Sequence, residues 1–170
     1  MLNVVITVDC DFDGYYPFEN RISFNKNKFN DSIDAAIAII KSHNLPACFL
    51  IHTSIYIRKY HSNLFYSKPE YLEIWKQLYD YGFELGLHPH EEDPNGRYYY
   101  YYYPKYMAKI IKAHCEYLKN AGINATAVRF GYFTISEWTI PVLEKNNIFL
   151  SFDPMGGYLS YTSNHFETAP

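Results

Sequence analysis

The segment Gly82-Phe83-Glu84-Leu85-Gly86-Leu87-His88-Pro89-His90 sets two imidazoles one residue apart. In continued extended geometry His88 and His90 share parity and point to one side. Two converging imidazoles are good ligands for a zinc-like divalent cation; the competing reading is a polar loop whose histidines face water. A second group of candidates follows the N-terminal apolar run: Asp9, Asp11 and Asp13 stand at alternate positions. Carboxylates directly after a buried strand are costly to desolvate without a partner, and a cation is such a partner. Asp13-Gly14 is also a turn signal in its own right, which explains Asp13 better than it explains Asp9. His52 and Glu92 are further candidates for the same cation, although a lone histidine after a strand more often serves as a hydrogen-bonded structural residue.

The elements that carry these residues alternate along the chain. Leu2 to Val8 is apolar and β-branched without polar alternation, as in a strand buried on both faces of a parallel sheet. Asn30 or Asp31 caps a predicted helix with Ile33, Ile37 and Ile40 on one face, ending near His43-Asn44. Ala47 to Ile51 is a second strand, with His52 at its carboxyl end. A helix over 70–81 turns Leu72, Trp75, Leu78 and Tyr79 inward and stops at Gly82. The histidine strand follows. Tyr98 to Tyr103 are six consecutive tyrosines, read as the run into a helix that starts at Pro104 and stops at Gly122, in preference to an aromatic wall for sugar rings. Ala125 to Phe130 is a fourth strand. Ser136 to Lys145 is a helix in which Pro141 is expected to produce a kink, and Ile148 to Phe152 is an apolar fifth strand. The βαβαβαβαβ pattern predicts one α/β domain over residues 1–170 with a parallel sheet, either open or rolled into a barrel. In both forms ligands collect at the carboxyl ends of the strands, where the two histidines stand.

Composition narrows the function. A hydrophobic fraction of 48% excludes a disordered chain. A net charge of −3 advertises neither a nucleic-acid nor an anionic-membrane surface. Cys10, Cys48 and Cys115 make no CxxC pair and no disulfide framework. With no signal-peptide pattern and no apolar run of membrane-spanning length, a cytoplasmic protein is expected.

At this point the motifs fall into a familiar order. The chain resembles the polysaccharide deacetylases of the NodB-homology type, carbohydrate esterase family four, across nearly its whole length. Thr7-Val8-Asp9-Cys10-Asp11 is similar to the family's first motif, in a TxDxD form. Gly82 to His88 is similar to the lead-in of the second motif, and His88-Pro89-His90 resembles its shorter HxH form; Glu92 occupies the spacing of the longer one. Arg129-Phe130-Gly131-Tyr132 is similar to the third motif. The resemblance implies a distorted (β/α) barrel and one divalent metal, zinc by expectation, held by Asp11, His88 and His90. It implies Asp9 as catalytic base, oriented by Arg129, with Phe130, Gly131 and Tyr132 at the substrate. A backbone N–H near Phe130 or Tyr132 is the expected oxyanion donor.

The function so implied is metal-dependent removal of an acyl group, acetyl by expectation, from an N-acylated sugar or polysaccharide. Two rivals remain at this level. One is another β/α-barrel metallohydrolase, of phosphoesterase or amidohydrolase type, although those place HxH on the first strand. The other is an inactive sugar-binding homologue, favoured because no LxxH match supplies the family's general acid; His165 sits in no comparable context. A full barrel needs about eight strands and five are predicted, so the chain is expected to stop inside its domain. Poor activity and self-association through the fifth-strand edge follow from that expectation.

Overall fold

A computed structural model of the protein describes residues 5–10, 26–53, 69–89, 104–130 and 139–152. The elements alternate as β1 (Ile6–Cys10), α1 (Lys26–Ser42), β2 (Ala47–Thr53), α2 (Pro69–Asp80), β3 (Glu84–Pro89), α3 (Pro104–Asn120), β4 (Ala127–Val128), α4 (Ile140–Lys145) and β5 (Leu150–Ser151). Asp11, His90, Glu92, Gly131, Tyr132, the six tyrosines, Trp138, His165 and the tail beyond Phe152 lie outside the described residues. Among the described residues no helix is long and apolar enough to cross a membrane.

All strand pairs are parallel, and the order across the sheet is β1-β2-β3-β4-β5. An open doubly wound sheet reverses its strand order at a switch point. Here every strand is added beside its predecessor, and right-handed crossovers then deliver every helix to one face. The packing agrees. One apolar cluster joins Phe49, Ile51, Leu85, Leu87 and Val128 of the strands to residues of all four helices, among them Ile37, Trp75, Ile111 and Leu143. On the other face a separate small cluster holds Cys48, Leu50 and Ala127, with Phe152 packed against it and, among the described residues, no helical residue. Side chains alternate between faces, so the register gives Thr7, Asp9, His52, His88 and Arg129 the parity of this second face. The architecture is α/β, with the strand order of a (β/α) barrel wall.

The sheet curls toward this second face. β1 and β4 are three strand spacings apart, about 14 Å in a flat sheet, more than an arginine and an aspartate can span together. Yet Arg129, just after β4, donates to Asp9 and Thr7 of β1. Gly86 of β3 lies between them in the register, paired with Leu50 and Ala127. A Cβ built there would stand 2.7 Å from the Ala127 carbonyl oxygen and 2.7 Å from Leu50 Cδ2. Glycine in a strand interior marks such a close backbone approach.

Local chemistry explains the helix ends. Gly82 and Gly122 have φ of +83° and +80°, the left-handed positions expected of glycines that end helices. Asn44 and Asn147 do the same after α1 and α4, at φ of 51° and 61°. Pro141 does not kink a helix. α4 begins at Ile140 and Pro141 occupies its first turn, where a missing N–H leaves no bond unmade. α1 begins at Lys26, so Asn30 and Asp31 lie inside it and are not its caps. In α2, Tyr71 joins Trp75 and Leu78 in the core, while Tyr79 is 36% exposed. Tyr71 falls on the same stripe as those two residues at helical spacing, and Tyr79 falls to its side. β5 is shorter than predicted and forms the sheet edge, with Phe149 72% exposed and Leu150 49% exposed. An apolar run is buried only where neighbours flank it on both sides, and among the described residues β5 pairs with β4 alone.

Candidate active site

The site is built at the carboxyl ends of β1 to β4, on the face opposite the described helices. Arg129 Nη1 donates to both Asp9 carboxylate oxygens, at 2.9 and 3.0 Å. Its Nη2 donates to Thr7 Oγ1 at 2.7 Å. Both partners sit on β1 two residues apart, and strand parity turns them to the same side. The centroid of the Phe152 ring lies 5.7 Å from the guanidinium carbon, within cation–π range. The Arg129 side chain is 16% exposed and that of Asp9 33%. The arginine is thus enclosed while the carboxylate keeps one side open to solvent.

Arg129 is tied to the histidine strand as well. His88 Nδ1 is 2.8 Å from the Arg129 carbonyl oxygen. A carbonyl only accepts, so Nδ1 donates to it, and in the neutral imidazole Nε2 is then the acceptor nitrogen. Ligating histidines are commonly fixed in this way, one nitrogen on a backbone carbonyl and the other toward the cation. The donor chemistry of His88 therefore fits the expected metal. Asp11 and His90, the other two expected ligands, lie outside the described residues, and among the described residues no three His, Cys, Asp or Glu side chains gather into a metal site.

His52 is buried at the end of β2, paired in register with His88, with ring centroids 6.0 Å apart and edge to face. Phe130 is 1% exposed and packs in the helix-side core. Its ring faces away from the site, which leaves its backbone as the part able to meet a substrate. Gly131 and Tyr132 lie outside the described residues. Two of the thiols, Cys48 and Cys115, are held as poor nucleophiles. Burial, aided by the charge of Glu84, raises the Cys48 pKa to about 12, and burial with Glu116 raises that of Cys115 to about 11.

Two groups escaped sequence reasoning. Thr7 opens the TxDxD motif but carries no assigned role there, although it stands two positions before Asp9 and so on the same face. His114 of α3 is 2% exposed. The signal was its spacing: it lies three residues after Ile111 and four before Leu118, both buried, within one helical stripe. Burial, reinforced by the charge of His52, lowers its pKa from 6.5 to about 3. Between those values the unfolded chain binds a proton that the folded chain does not. Stability is therefore fully present above about pH 6.5 and is lost as pH falls toward 3. Urea unfolding at pH 7 and at pH 5 is expected to show a loss on the order of 1 kcal/mol per pH unit, and His114→Leu to remove most of it. Equal pH dependence in both proteins would place the acid sensitivity elsewhere.

No family model matches this sequence, and no curated protein matches it. Among solved structures the chain is similar to a mutant of a CE4 family pseudoenzyme with restored enzymatic activity. The TM-score is 0.56 at 13% identity, over 88% of this chain and 44% of that one. The likeness shows the fold: an α/β architecture shared with that CE4 family protein. The chain spans less than half the length of that neighbour.

Proposed function

We propose that the protein belongs to the metal-dependent carbohydrate deacetylases and removes an acetyl group from an N-acetylated sugar or polysaccharide. The observation that carries this reading is the Asp9–Arg129 pair. Two residues 120 positions apart, matched separately to a base motif and to an arginine motif, meet on one face at 2.9 Å. Asp9 accepts the proton of the attacking water, and Arg129 holds its carboxylate in place. Asp11, His88 and His90 would hold the divalent cation, zinc by choice, which supplies Lewis-acid polarisation of the substrate carbonyl and activation of water. His88 is already oriented for that task by the Arg129 carbonyl. Backbone N–H groups near Phe130 and Tyr132 would face the developing oxyanion.

The test is acetate release from N-acetylglucosamine oligomers by the purified protein, with zinc added and with a chelator. The expected result is weak, metal-dependent turnover with the metal and none with the chelator. No release with zinc, manganese or cobalt, alongside hydrolysis of phosphate esters, would overturn the reading in favour of another metallohydrolase. A second reading, sugar binding without turnover, is favoured by the neighbour's description as a pseudoenzyme. Oligomer binding without acetate release would support that reading instead.

A further inference from the structure

The geometry points to Thr7 as a positioning residue that holds the guanidinium of Arg129 and so fixes where the Asp9 carboxylate stands. A guanidinium is planar and rigid, and one hydrogen-bonded nitrogen leaves it free to swing about that contact. Two nitrogens held by two different partners fix its plane. In this site Nη2 is held by Thr7 Oγ1 at 2.7 Å and Nη1 by the two oxygens of Asp9, at 2.9 and 3.0 Å. The usual arginine–carboxylate pairing is a fork on a fork, one nitrogen to each oxygen. Here the threonine occupies the second prong, and a single nitrogen straddles both carboxylate oxygens. Thr7 thereby keeps Arg129 from turning onto Asp9 in the paired geometry, a rotation that would draw the carboxylate toward the guanidinium and away from its open side.

Three further contacts surround the threonine's hydrogen bond to Arg129. Phe152 lies within cation–π range of the guanidinium but offers no hydrogen-bond acceptor to fix its rotation. The Arg129 backbone is fixed already, since its N–H donates to the Leu87 carbonyl at 2.9 Å and its carbonyl meets His88. On the side chain, the Thr7 hydroxyl holds Nη2 at 2.7 Å. Thr7 itself is anchored in the ladder, paired with Cys48 of β2, so its oxygen stands at a fixed height on the sheet.

The role of Thr7 in turnover rests on the deacetylase reading; its role in holding Arg129 does not. The test therefore has two arms on Thr7→Val, which keeps shape and β-propensity and loses the oxygen, and on Thr7→Ser, which restores it. The first arm is nitrogen-15 NMR of the Arg129 Nη groups at low temperature. Separate, slowly exchanging Nη signals are expected in the native protein and in Thr7→Ser, and averaged or exchange-broadened signals in Thr7→Val. The second arm is kinetics on N-acetylated oligomers. Thr7→Val is expected to lower kcat about tenfold, the scale of one hydrogen bond to a charged group, with KM unchanged and Thr7→Ser within twofold of native. Unchanged Nη signals in Thr7→Val overturn the proposal whatever the kinetics. If the native protein shows no turnover, the deacetylase reading fails while the NMR arm still decides the role of Thr7. Should Thr7→Val fail to fold, Thr7→Ala, which cannot clash, is read in the same way.

Discussion

Gly86→Val is expected to leave the protein largely unfolded at 37 °C, with a loss of about 3–5 kcal/mol. The φ of Gly86 is not the reason, because it is not among the positive-φ residues. The reason is space. Any Cβ would meet the Ala127 carbonyl oxygen and Leu50 Cδ2, both at 2.7 Å. The carbonyl belongs to the neighbouring strand and cannot rotate away like a side-chain tip. Gly86→Ala should cost about 2 kcal/mol for the same reason. Gly82→Ala is the control. It has open space around its Cβ position but a φ of +83°, so its penalty is conformational and about 1 kcal/mol. Chemical denaturation of the three variants ranks them. A Gly86→Ala protein as stable as Gly82→Ala would show that the sheet relaxes its curl at little cost.

The second large effect belongs to the proposed chemistry. Asp9→Asn preserves shape and removes the only group in the Arg129 pair that can take a proton. Deacetylation of N-acetylated oligomers is expected to fall 10²- to 10⁴-fold, the usual range for losing a general base. Arg129→Met should fall by a comparable factor because the carboxylate is left unpositioned, and it should also loosen the backbone that holds His88. The measurement is kcat with far-ultraviolet circular dichroism on the same samples. A folded Asp9→Asn protein retaining more than a tenth of native turnover would remove Asp9 from the mechanism.

What was legible in the chain was what is local. Apolar runs, helical stripes and the glycines at 82 and 122 announce strands, helices and helix ends within a few residues, and these elements formed near where they were expected. The alternation itself could not choose between an open sheet and a barrel wall, because it says that strands are parallel and not which strand lies beside which. That choice appears in the sequential order and in the reach of Arg129 across to β1. The Asp9–Arg129 pair was found through motif resemblance; no periodicity links residues 120 positions apart. Thr7 stood in the TxDxD motif, but no role for it was legible, because a threonine in a strand reads as β-propensity. His114 was missed because a polar residue on a helix is assumed to face water, and Pro141 was misread because its meaning depends on a helix start that the sequence leaves ambiguous.

The sequential strand order bears on how the chain is made. In a doubly wound sheet, early strands end up flanked by late ones, so partners are missing when the first strands are synthesised. Here each strand from β2 onward meets its partner already in place. The order of synthesis on the ribosome is therefore also an order in which the wall can be laid down, one strand and helix at a time. The Asp9–Arg129 contact is the exception to this local bookkeeping. It joins the first strand to the end of the fourth, and β2 and β3 must stand between them before it can close. Its formation during translation or refolding thus dates the moment at which four strands have curled together.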